Sequence, residues 1–209
     1  MMAAAMIERV LNGPSAPLRH GAFVAVVGPS GAGKDTIIDY ARGALADEPG
    51  FHFVRRVVTR PSAADAEDHD SLSETSFLAA RQAGAFCHSW HAHGLHYGLP
   101  KSVDDEIERG AVAIANVSRG VLPALRAAYA NLLVVQITAS PEVLARRLAA
   151  RGRESAEDIQ RRLLRAVPNP CDPADAVIID NSGAVADAGN AFVAILRKSA
   201  AALAVSEQI

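Results

Sequence analysis

A glycine-rich loop at residues 28–36 carries the strongest chemical signal in the sequence. It follows the apolar run 22–27 directly and leads into a helical pattern, so it connects a strand to a helix. Its spacing, Gly28-x4-Gly33-Lys34, matches the core of the Walker A motif. Glycines let successive backbone N–H groups converge on a phosphate, and the helix that follows directs the positive end of its dipole at the same anion. The sequence therefore predicts a nucleotide-binding loop made of Gly28, Pro29, Ser30, Gly31, Ala32, Gly33, Lys34, Asp35 and Thr36.

Lys34 is expected to be the catalytic cation of this loop, because a lysine here supplies charge to the β- and γ-phosphate oxygens during phosphoryl transfer. The residue after the lysine is Asp35 rather than the usual serine or threonine, and Thr36 comes next. An aspartate beside phosphates suggests that Mg²⁺ lies between them, so Asp35 or Thr36 would contribute to a magnesium site. The alternative is that Asp35 only caps the start of the helix, where an acidic residue is favourable. The sequence leaves both roles open.

The rest of the chain has the strand and helix pattern that would position this loop in a sheet. Continuous apolar runs, rather than alternating ones, are typical of parallel strands that are covered on both faces. Strands are predicted at 22–27, 51–59, 111–115, 132–138 and 176–179. Helices are predicted at 35–45, 74–83, 101–109, 121–129, 141–150, 156–166 and 185–200. The alternation predicts an α/β protein with a three-layer α/β/α P-loop NTPase fold and a mostly parallel sheet of about five strands.

The composition favours one globular domain and excludes some classes of protein. Of the 209 residues, 50% are hydrophobic and 21% are charged, which is ordinary for a folded domain. The net charge of −2 gives no overall attraction for nucleic acid or an anionic membrane, and no apolar run is long enough to span one. Cys87 and Cys171 form no CxxC pair, so reduced thiols in a cytoplasmic protein are expected. Residues 1–20 are expected to be an N-terminal extension, loosely attached to a domain at 21–205.

Motifs that the chain lacks narrow the class of nucleotide-binding protein. A regulatory GTPase needs an N/TKxD motif that reads guanine, and the sequence has none. Transport and motor ATPases usually carry a strand that ends in a metal-binding aspartate, whereas two predicted strands here lead to Asn116 and Thr138. Small-molecule kinases remain, and their acceptor and lid sites are built from arginines.

Further motifs, in order along residues 21–200, resemble the guanylate kinase family. They are the loop GPSGAGKDT, VVTRP at 57–61, EDHD at 67–70, Phe77, GAF at 84–86, Tyr97-Gly98 and the arginine-rich segment 147–163. The resemblance is closer to one group, the ribose 1,5-bisphosphate phosphokinases, in GKDT, RRVVTRP at 55–61, EDH at 67–69, HAHGLHYG at 91–98 and NVSR at 116–119. It implies an enzyme of phosphonate catabolism that uses ATP and Mg²⁺ to phosphorylate a small phosphorylated sugar, ribose 1,5-bisphosphate, to 5-phosphoribosyl diphosphate (PRPP).

Three positions depart from guanylate kinases where those enzymes bind GMP. Ala63 stands in place of a second arginine, His88 in place of an acidic residue that reads guanine, and Leu99 in place of the serine or threonine after Tyr-Gly. A site that selects guanine needs paired polar groups on the base edge, so GMP is expected to be a poor acceptor. A guanylate kinase or another nucleoside monophosphate kinase is the first alternative. A non-catalytic guanylate-kinase-like interaction module is the second, although such modules tend to lose the phosphate loop that this chain retains.

The resemblance implies an acceptor-binding region at about 55–100 and further contacts after strand 111–115. Alternation along a strand places Arg56 and Arg60 on one face, where two guanidinium groups would bind a phosphate. The alternative is that these arginines pair with the acidic segment 67–70. That segment could hold ribose hydroxyls, help to position Mg²⁺ or be a solvated loop, and the sequence leaves this open. The candidate substrate-binding residues are Arg56, Arg60, Glu67, Asp68, His69, His93, Tyr97, Gly98, Asn116, Ser118 and Arg119.

A lid is implied at about 146–165. Arg147, Arg151 and Arg153 surround a glycine-containing turn between two predicted helices. In kinases of this shape, such a segment closes over the triphosphate and excludes water. Together with Lys34, the three arginines are the candidate catalytic residues; the alternative is an exposed basic helix end that stabilises a dipole. Neither a nucleic acid nor a membrane is expected as a partner, and formation of a homodimer is left open.

Overall fold

The computed structural model describes residues 17–60, 69–150 and 176–206. The strands are β1 (Ala22–Val27), β2 (Phe51–Phe53), β3 (Arg56–Val58), β4 (His69–Ser71), β5 (Phe86–Ala92), β6 (Leu95–Pro100), β7 (Val112–Asn116), β8 (Leu132–Thr138) and β9 (Val177–Asp180). The helices are α1 (Lys34–Ala44), α2 (Glu74–Gln82), α3 (Ser102–Glu108), α4 (Leu122–Ala128), α5 (Pro141–Ala150) and α6 (Val185–Ser206), with a 3₁₀ turn at Arg119–Val121. The predicted helix 156–166 lies outside the described residues.

A five-stranded sheet forms the middle layer, with the strand order β2-β7-β1-β8-β9. Each neighbouring pair is parallel; Val24 of β1, for example, lies opposite Ile114 on one side and Leu133 on the other. β1 is buried along its whole length, as its continuous apolar run predicts. The predicted α/β fold with a mostly parallel sheet is therefore confirmed. The carboxyl ends of the strands share one edge of the sheet, and the glycine-rich loop leaves β1 at that edge.

Helices cover both faces of the sheet because successive side chains of β1 point to opposite sides. Val24 joins a core cluster with Ile37 of α1 and Phe192 of α6. Phe23 joins the cluster on the other face, with Ile107 of α3. All five side chains are fully buried, and burial of each such side chain stabilises the fold by about 2 kcal/mol. The loop after β1 therefore starts from a rigid, packed strand.

Segment 51–59 differs from the single strand that the sequence predicts. β2 pairs with β7 in the central sheet, and the backbone N–H of Val54 still donates to Ile114 O at 2.9 Å. Arg55 is then exposed, and β3 enters a second sheet, where Val57 lies opposite Gly98. The apolar pattern could not show this change, because it reports burial but not which strand lies alongside.

The second sheet has four strands in the order β4-β3-β6-β5. Segment 84–100, within the region expected to bind the acceptor, contributes the antiparallel strands β5 and β6. Their two-residue tip, His93–Gly94, has φ angles of 53° and 72°, as a type I′ hairpin turn requires. Helix α2 covers one face, where the buried Phe77 ring stacks on Phe86 at 4.7 Å. The other face turns towards the central domain.

A partly buried polar cluster around the buried Tyr129 joins this hairpin to the central domain. Tyr129 donates from Oη to Asp104 Oδ1 (2.7 Å), and its ring stacks on Phe23 at 5.0 Å. The ring of His88 meets the edge of Tyr129 at 5.5 Å. Burial raises the pKa of the neighbouring Cys87 thiol to about 12, and the charge of Asp104 acts in the same direction. Burial likewise raises the pKa of Tyr129, so both groups stay neutral at physiological pH.

Residues 17–20 of the expected N-terminal extension lie against the domain. The backbone N–H of Leu18 donates to Ala128 O (2.9 Å), and that of Ala130 donates to Leu18 O (3.0 Å). The side chain of Asn131 also donates to Arg19 O at 2.7 Å. Residues 1–16 lie outside the described ranges. Among the described helices, none has the length and apolar character needed to cross a membrane.

Candidate active site

Two glycines of the loop after β1 are required by its backbone shape. Gly28 and Gly33 have φ angles of 147° and 88°, in the region that favours glycine. A Cβ atom would lie 2.2 Å from Ile137 O at position 28, and 2.5 Å from Asn181 Nδ2 at position 33. The loop therefore packs directly on β8 and on the residue that follows β9. Only glycine allows both the curl and this close approach.

Lys34 folds its side chain back across the loop. Its Nζ donates to Gly28 O and to Pro29 O, both at 3.0 Å. The ammonium group thus lies against the curl of the loop, at the start of helix α1. This is where the sequence predicts a cation for the phosphates of a nucleotide.

Asp35 links the loop to two other candidate residues. Asn116 Nδ2 donates to Asp35 Oδ1 at 2.7 Å, and Arg56 Nη2 lies 3.6 Å from the same oxygen. The N-cap of α1 is Gly33, and Asp35 lies in the first turn of the helix, where an acidic residue is favourable, so its position suits either of the two roles that the sequence leaves open. Arg56 is buried, with 8% of its surface exposed. The structure thus brings together three predicted site residues from α1, β3 and β7.

A cleft opens beside this cluster. The Arg56 guanidinium lies 5.9 Å from the centre of the Tyr97 ring, and Tyr97 stacks on Trp90 at 5.4 Å. Trp90 also packs against the core, and so it holds the Tyr97 ring in place. A buried cation backed by stacked rings is suited to hold an anion. The cleft is lined by Asp35, Ile38, Asp39, Arg42, Val54, Arg56, Ile114 and Asn116.

The other predicted substrate-binding residues are dispersed. Ser118 and Arg119 follow β7 and are half-buried at the edge of the sheet where the loop lies. Gly98 is buried in β6, where a Cβ would meet the Phe86 ring at 2.7 Å, and His93 is exposed at the hairpin tip. Arg60 is half-buried just after β3. Glu67, Asp68, Arg151, Arg153 and the side chain of His69 lie outside the described residues.

The side chains of Arg147 and Asn181 both donate hydrogen bonds to the backbone of the loop. Arg147, predicted as a lid residue, donates from Nη2 to Asn181 O at 3.0 Å and from Nη1 to Ala32 O at 3.5 Å. Asn181 is 1% exposed and donates from Nδ2 to Ala32 O at 2.8 Å. Asn181 was not among the residues predicted from the sequence. Its place directly after an apolar strand, similar to that of Asn116 at the end of β7, is the signal that could have found it.

The residues at the start of α1 fit a magnesium ion that a nucleotide carries. Asp35 offers a carboxylate and Thr36 an exposed hydroxyl, and Mg²⁺ prefers oxygen ligands. Such an ion needs only one or two protein carboxylates, since water and phosphate complete its coordination. Within 17–60, 69–150 and 176–206, no group of three or more His, Cys, Asp and Glu could hold a metal by itself.

The chain matches a known protein family and named relatives over most of its length. The guanylate kinase family model matches residues 21–188. Ribose 1,5-bisphosphate phosphokinase PhnN of Brucella melitensis is 57% identical over 83% of this chain and 90% of its own. The protein of the same name from Agrobacterium fabrum is 51% identical over 85% of this chain and 97% of its own. That from Chelativorans sp. is 46% identical over 96% of each chain.

The solved structures support the same fold. The crystal structure of guanylate kinase from Anaplasma phagocytophilum has a TM-score of 0.60 and 16% identity over 85% of each chain. This similarity concerns the fold, while the family rests on the family model and on the sequence identities. The chain belongs to the guanylate kinase family and, within it, to the group of ribose 1,5-bisphosphate phosphokinases.

Proposed function

We propose that this protein transfers the γ-phosphoryl group of ATP to the 1-phosphate of ribose 1,5-bisphosphate. An oxygen of that phosphate forms a bond to the γ-phosphorus, the bond from the γ-phosphorus to the β–γ bridging oxygen breaks, and ADP leaves. The product is PRPP. The relatives' name, ribose 1,5-bisphosphate phosphokinase, supports this substrate, and the PhnN part of that name supports a role in phosphonate catabolism. ATP is available in the cytoplasm, which is the compartment that we propose.

The observation that carries the proposal is the buried Arg56 beside the phosphate loop. Its Nη2 atom lies 3.6 Å from Asp35 Oδ1 at the start of α1, and its side chain faces the cleft. A guanidinium group binds phosphate through paired hydrogen bonds and remains charged when buried. A phosphate held there would lie next to the nucleotide phosphates. An acceptor that is itself a phosphate therefore suits this cleft.

The loop and Lys34 would bind the nucleotide phosphates, and Asp35 with Thr36 would hold Mg²⁺. When bound, Mg²⁺ supplies charge that offsets the phosphate oxygens during transfer. Arg56, Arg60 and Tyr97 would orient the acceptor, with Asn116, Ser118 and Arg119 at the end of β7. The acceptor phosphate is already ionised at neutral pH, so positioning and charge neutralisation carry the reaction without a general base. Glu67, Asp68, His69, His93 and Gly98 remain proposed contacts, and the lid residues Arg147, Arg151 and Arg153 remain proposed catalytic groups.

A side-by-side assay tests the acceptor. Release of ADP is measured with ribose 1,5-bisphosphate and with GMP at matched concentrations. We expect kcat/KM for the sugar bisphosphate to exceed that for GMP by at least about a hundredfold, since buried polar groups reject an acceptor that leaves them unpaired. The guanylate kinase alternative is supported by the family model over residues 21–188, and a preference for GMP would establish it. Failure to bind ATP in calorimetry would instead support an interaction module.

A further inference from the structure

Asn181 follows β9 directly, and its side chain contacts the backbone of the phosphate loop. Its carboxamide Nδ2 donates to Ala32 O at 2.8 Å, and the side chain is 1% exposed. Only the nitrogen of the amide can face that carbonyl, because two oxygens at this distance would repel each other. The missing Cβ of Gly33 makes room for the amide, since a Cβ there would lie 2.5 Å from Nδ2.

The direction of one carbonyl fixes the direction of the next N–H. In a trans peptide the C=O and the N–H point to opposite sides, and the Ala32–Gly33 peptide is trans. Since Ala32 O points at Asn181, the N–H of Gly33 points away from it, towards the open side of the loop. Backbone N–H groups on that side are the ones that bind a phosphate in loops of this kind.

Arg147 braces the same carbonyl group. It donates from Nη1 to Ala32 O at 3.5 Å and from Nη2 to the backbone O of Asn181 at 3.0 Å. Helix α5 and the turn after β9 therefore converge on one peptide of the loop. Two donors on one carbonyl oxygen restrict its rotation more than one donor would.

The turn after β9 has other bonds that hold it in place. The backbone N–H of Asn181 donates to Thr138 O at 2.8 Å, and Ser182 Oγ accepts from the backbone N–H of Ser140 at 2.8 Å. In the part of the chain that the structure describes, Asn181 Oδ1 has no hydrogen-bond partner. A buried acceptor without a partner costs stability. The amide is therefore better explained by its bond to the loop than by a need of the turn itself.

We propose that Asn181 is a positioning residue for nucleotide binding. Its carboxamide, with Arg147, holds the Ala32–Gly33 peptide so that the Gly33 N–H faces the nucleotide phosphates. The inference rests on the proposed nucleotide site, but it does not depend on which acceptor the enzyme uses. Asn181 should therefore affect the affinity for the nucleotide and not the affinity for the acceptor.

The test uses Asn181→Asp, which keeps the shape but places an oxygen opposite Ala32 O. We expect the Kd for ADP, measured by calorimetry without acceptor, to rise by about tenfold or more, the loss of one buried hydrogen bond. The KM for the acceptor should stay within about twofold. Asn181→Ser, whose shorter side chain no longer brings a donor to Ala32 O and adds no charge, should also raise the Kd for ADP. The matched control is Asn190→Asp, because Asn190 is exposed on α6 and accepts from Tyr40 Oη with an oxygen that aspartate retains.

Each outcome decides the proposal. A Kd for ADP in Asn181→Asp that equals that of Asn190→Asp would overturn it, as would equal rises in nucleotide Kd and acceptor KM. If Asn181→Asp does not fold, Asn181→Ser decides alone, and wild-type affinity with a lowered Tm would mean a purely structural residue. A wild-type enzyme that prefers GMP but shows the predicted Kd change would refute the proposed acceptor and leave this inference intact.

Discussion

Asn116 Nδ2 donates a 2.7 Å hydrogen bond to Asp35 Oδ1, although the two residues lie 81 positions apart. The bond joins the carboxyl end of β7 to the first turn of α1. Arg56 Nη2, which comes from the second sheet, lies 3.6 Å from the same oxygen. One carboxylate therefore connects the phosphate loop, the central sheet and the cleft proposed for the acceptor.

Asp35→Asn should impair catalysis more than folding. The amide retains an oxygen that accepts from Asn116, but the charge that would hold Mg²⁺ is lost. We expect turnover to fall by about tenfold or more and the Mg²⁺ concentration for half-maximal activity to rise. The Tm should fall by about 3 °C at most, because the amide keeps the hydrogen bond from Asn116 and only the charge beside Arg56 is lost. Magnesium titrations and thermal melts check this, and a parallel loss of activity and stability would assign Asp35 a structural role.

Arg56→Gln should weaken acceptor binding selectively. We expect the KM for the acceptor to rise by about tenfold to a hundredfold, the loss of charge-assisted hydrogen bonds to a phosphate. The Kd for nucleotide should change little. Arg55→Gln is the matched control, because Arg55 is 57% exposed and pairs with Asp70 at 3.0 Å. Similar KM values in the two variants would remove Arg56 from the acceptor site.

Lys34→Met should nearly abolish transfer while leaving the fold intact. The ammonium group bonded to Gly28 O and Pro29 O would no longer offset charge on the transferred group. We expect kcat to fall by about a thousandfold, with an unchanged far-ultraviolet circular dichroism spectrum. Lys101→Met, at an exposed lysine before α3, should keep wild-type activity. Retention of a tenth of the activity in Lys34→Met would contradict the assigned role.

Native Cys87 should react slowly with disulfide reagents. The reactive form is the thiolate, and a pKa of about 12 leaves roughly one thiolate in ten thousand at pH 8. In a Cys171→Ser background, we expect labelling to be at least about a hundredfold slower than in urea, where the thiol regains an ordinary pKa.

The same shift has a consequence for stability at high pH. The folded thiol keeps its proton above pH 9, near the unfolded pKa, where an unfolded thiol releases it. Its contribution to the free energy of unfolding is therefore constant below pH 9 and falls as the pH rises towards 12. Urea titrations at pH 8 and pH 10 measure how much the free energy of unfolding falls between the two pH values. The fall should be larger in the Cys171→Ser protein than in the Cys87→Ala/Cys171→Ser protein, which lacks the thiol. Rapid native labelling at pH 8 would contradict a half-buried thiol that stays neutral.

The phosphate loop could be predicted because its determinants are local. A strand, glycines at 28 and 33, a lysine and a helix follow one another without interruption, and the structure places them as the spacing indicates. The central sheet could be predicted because strands buried on both faces leave continuous apolar runs. Neither prediction required knowledge of which distant residues meet.

Contacts between residues that lie far apart in the sequence could not be predicted from local patterns. Asn181 and Ala32 lie 149 positions apart, so nothing local marks their hydrogen bond. Arg147 was predicted from its neighbouring arginines as a lid residue, and its bond to Asn181 O depends on how α5 and the turn after β9 meet in the fold. The change of sheet between β2 and β3 depends in the same way on partners elsewhere in the chain.

The most direct test of the proposed reaction follows phosphorus itself. Phosphorus-31 NMR of ATP, Mg²⁺ and ribose 1,5-bisphosphate with the enzyme distinguishes a monoester from a diphosphate at carbon 1. We expect the signals of the ATP γ-phosphate and of the sugar 1-phosphate to decline, while a pair of coupled diphosphate signals separate from those of ADP appears and the 5-phosphate signal persists. An unchanged sugar spectrum, together with GDP formation when GMP is supplied, would contradict the account.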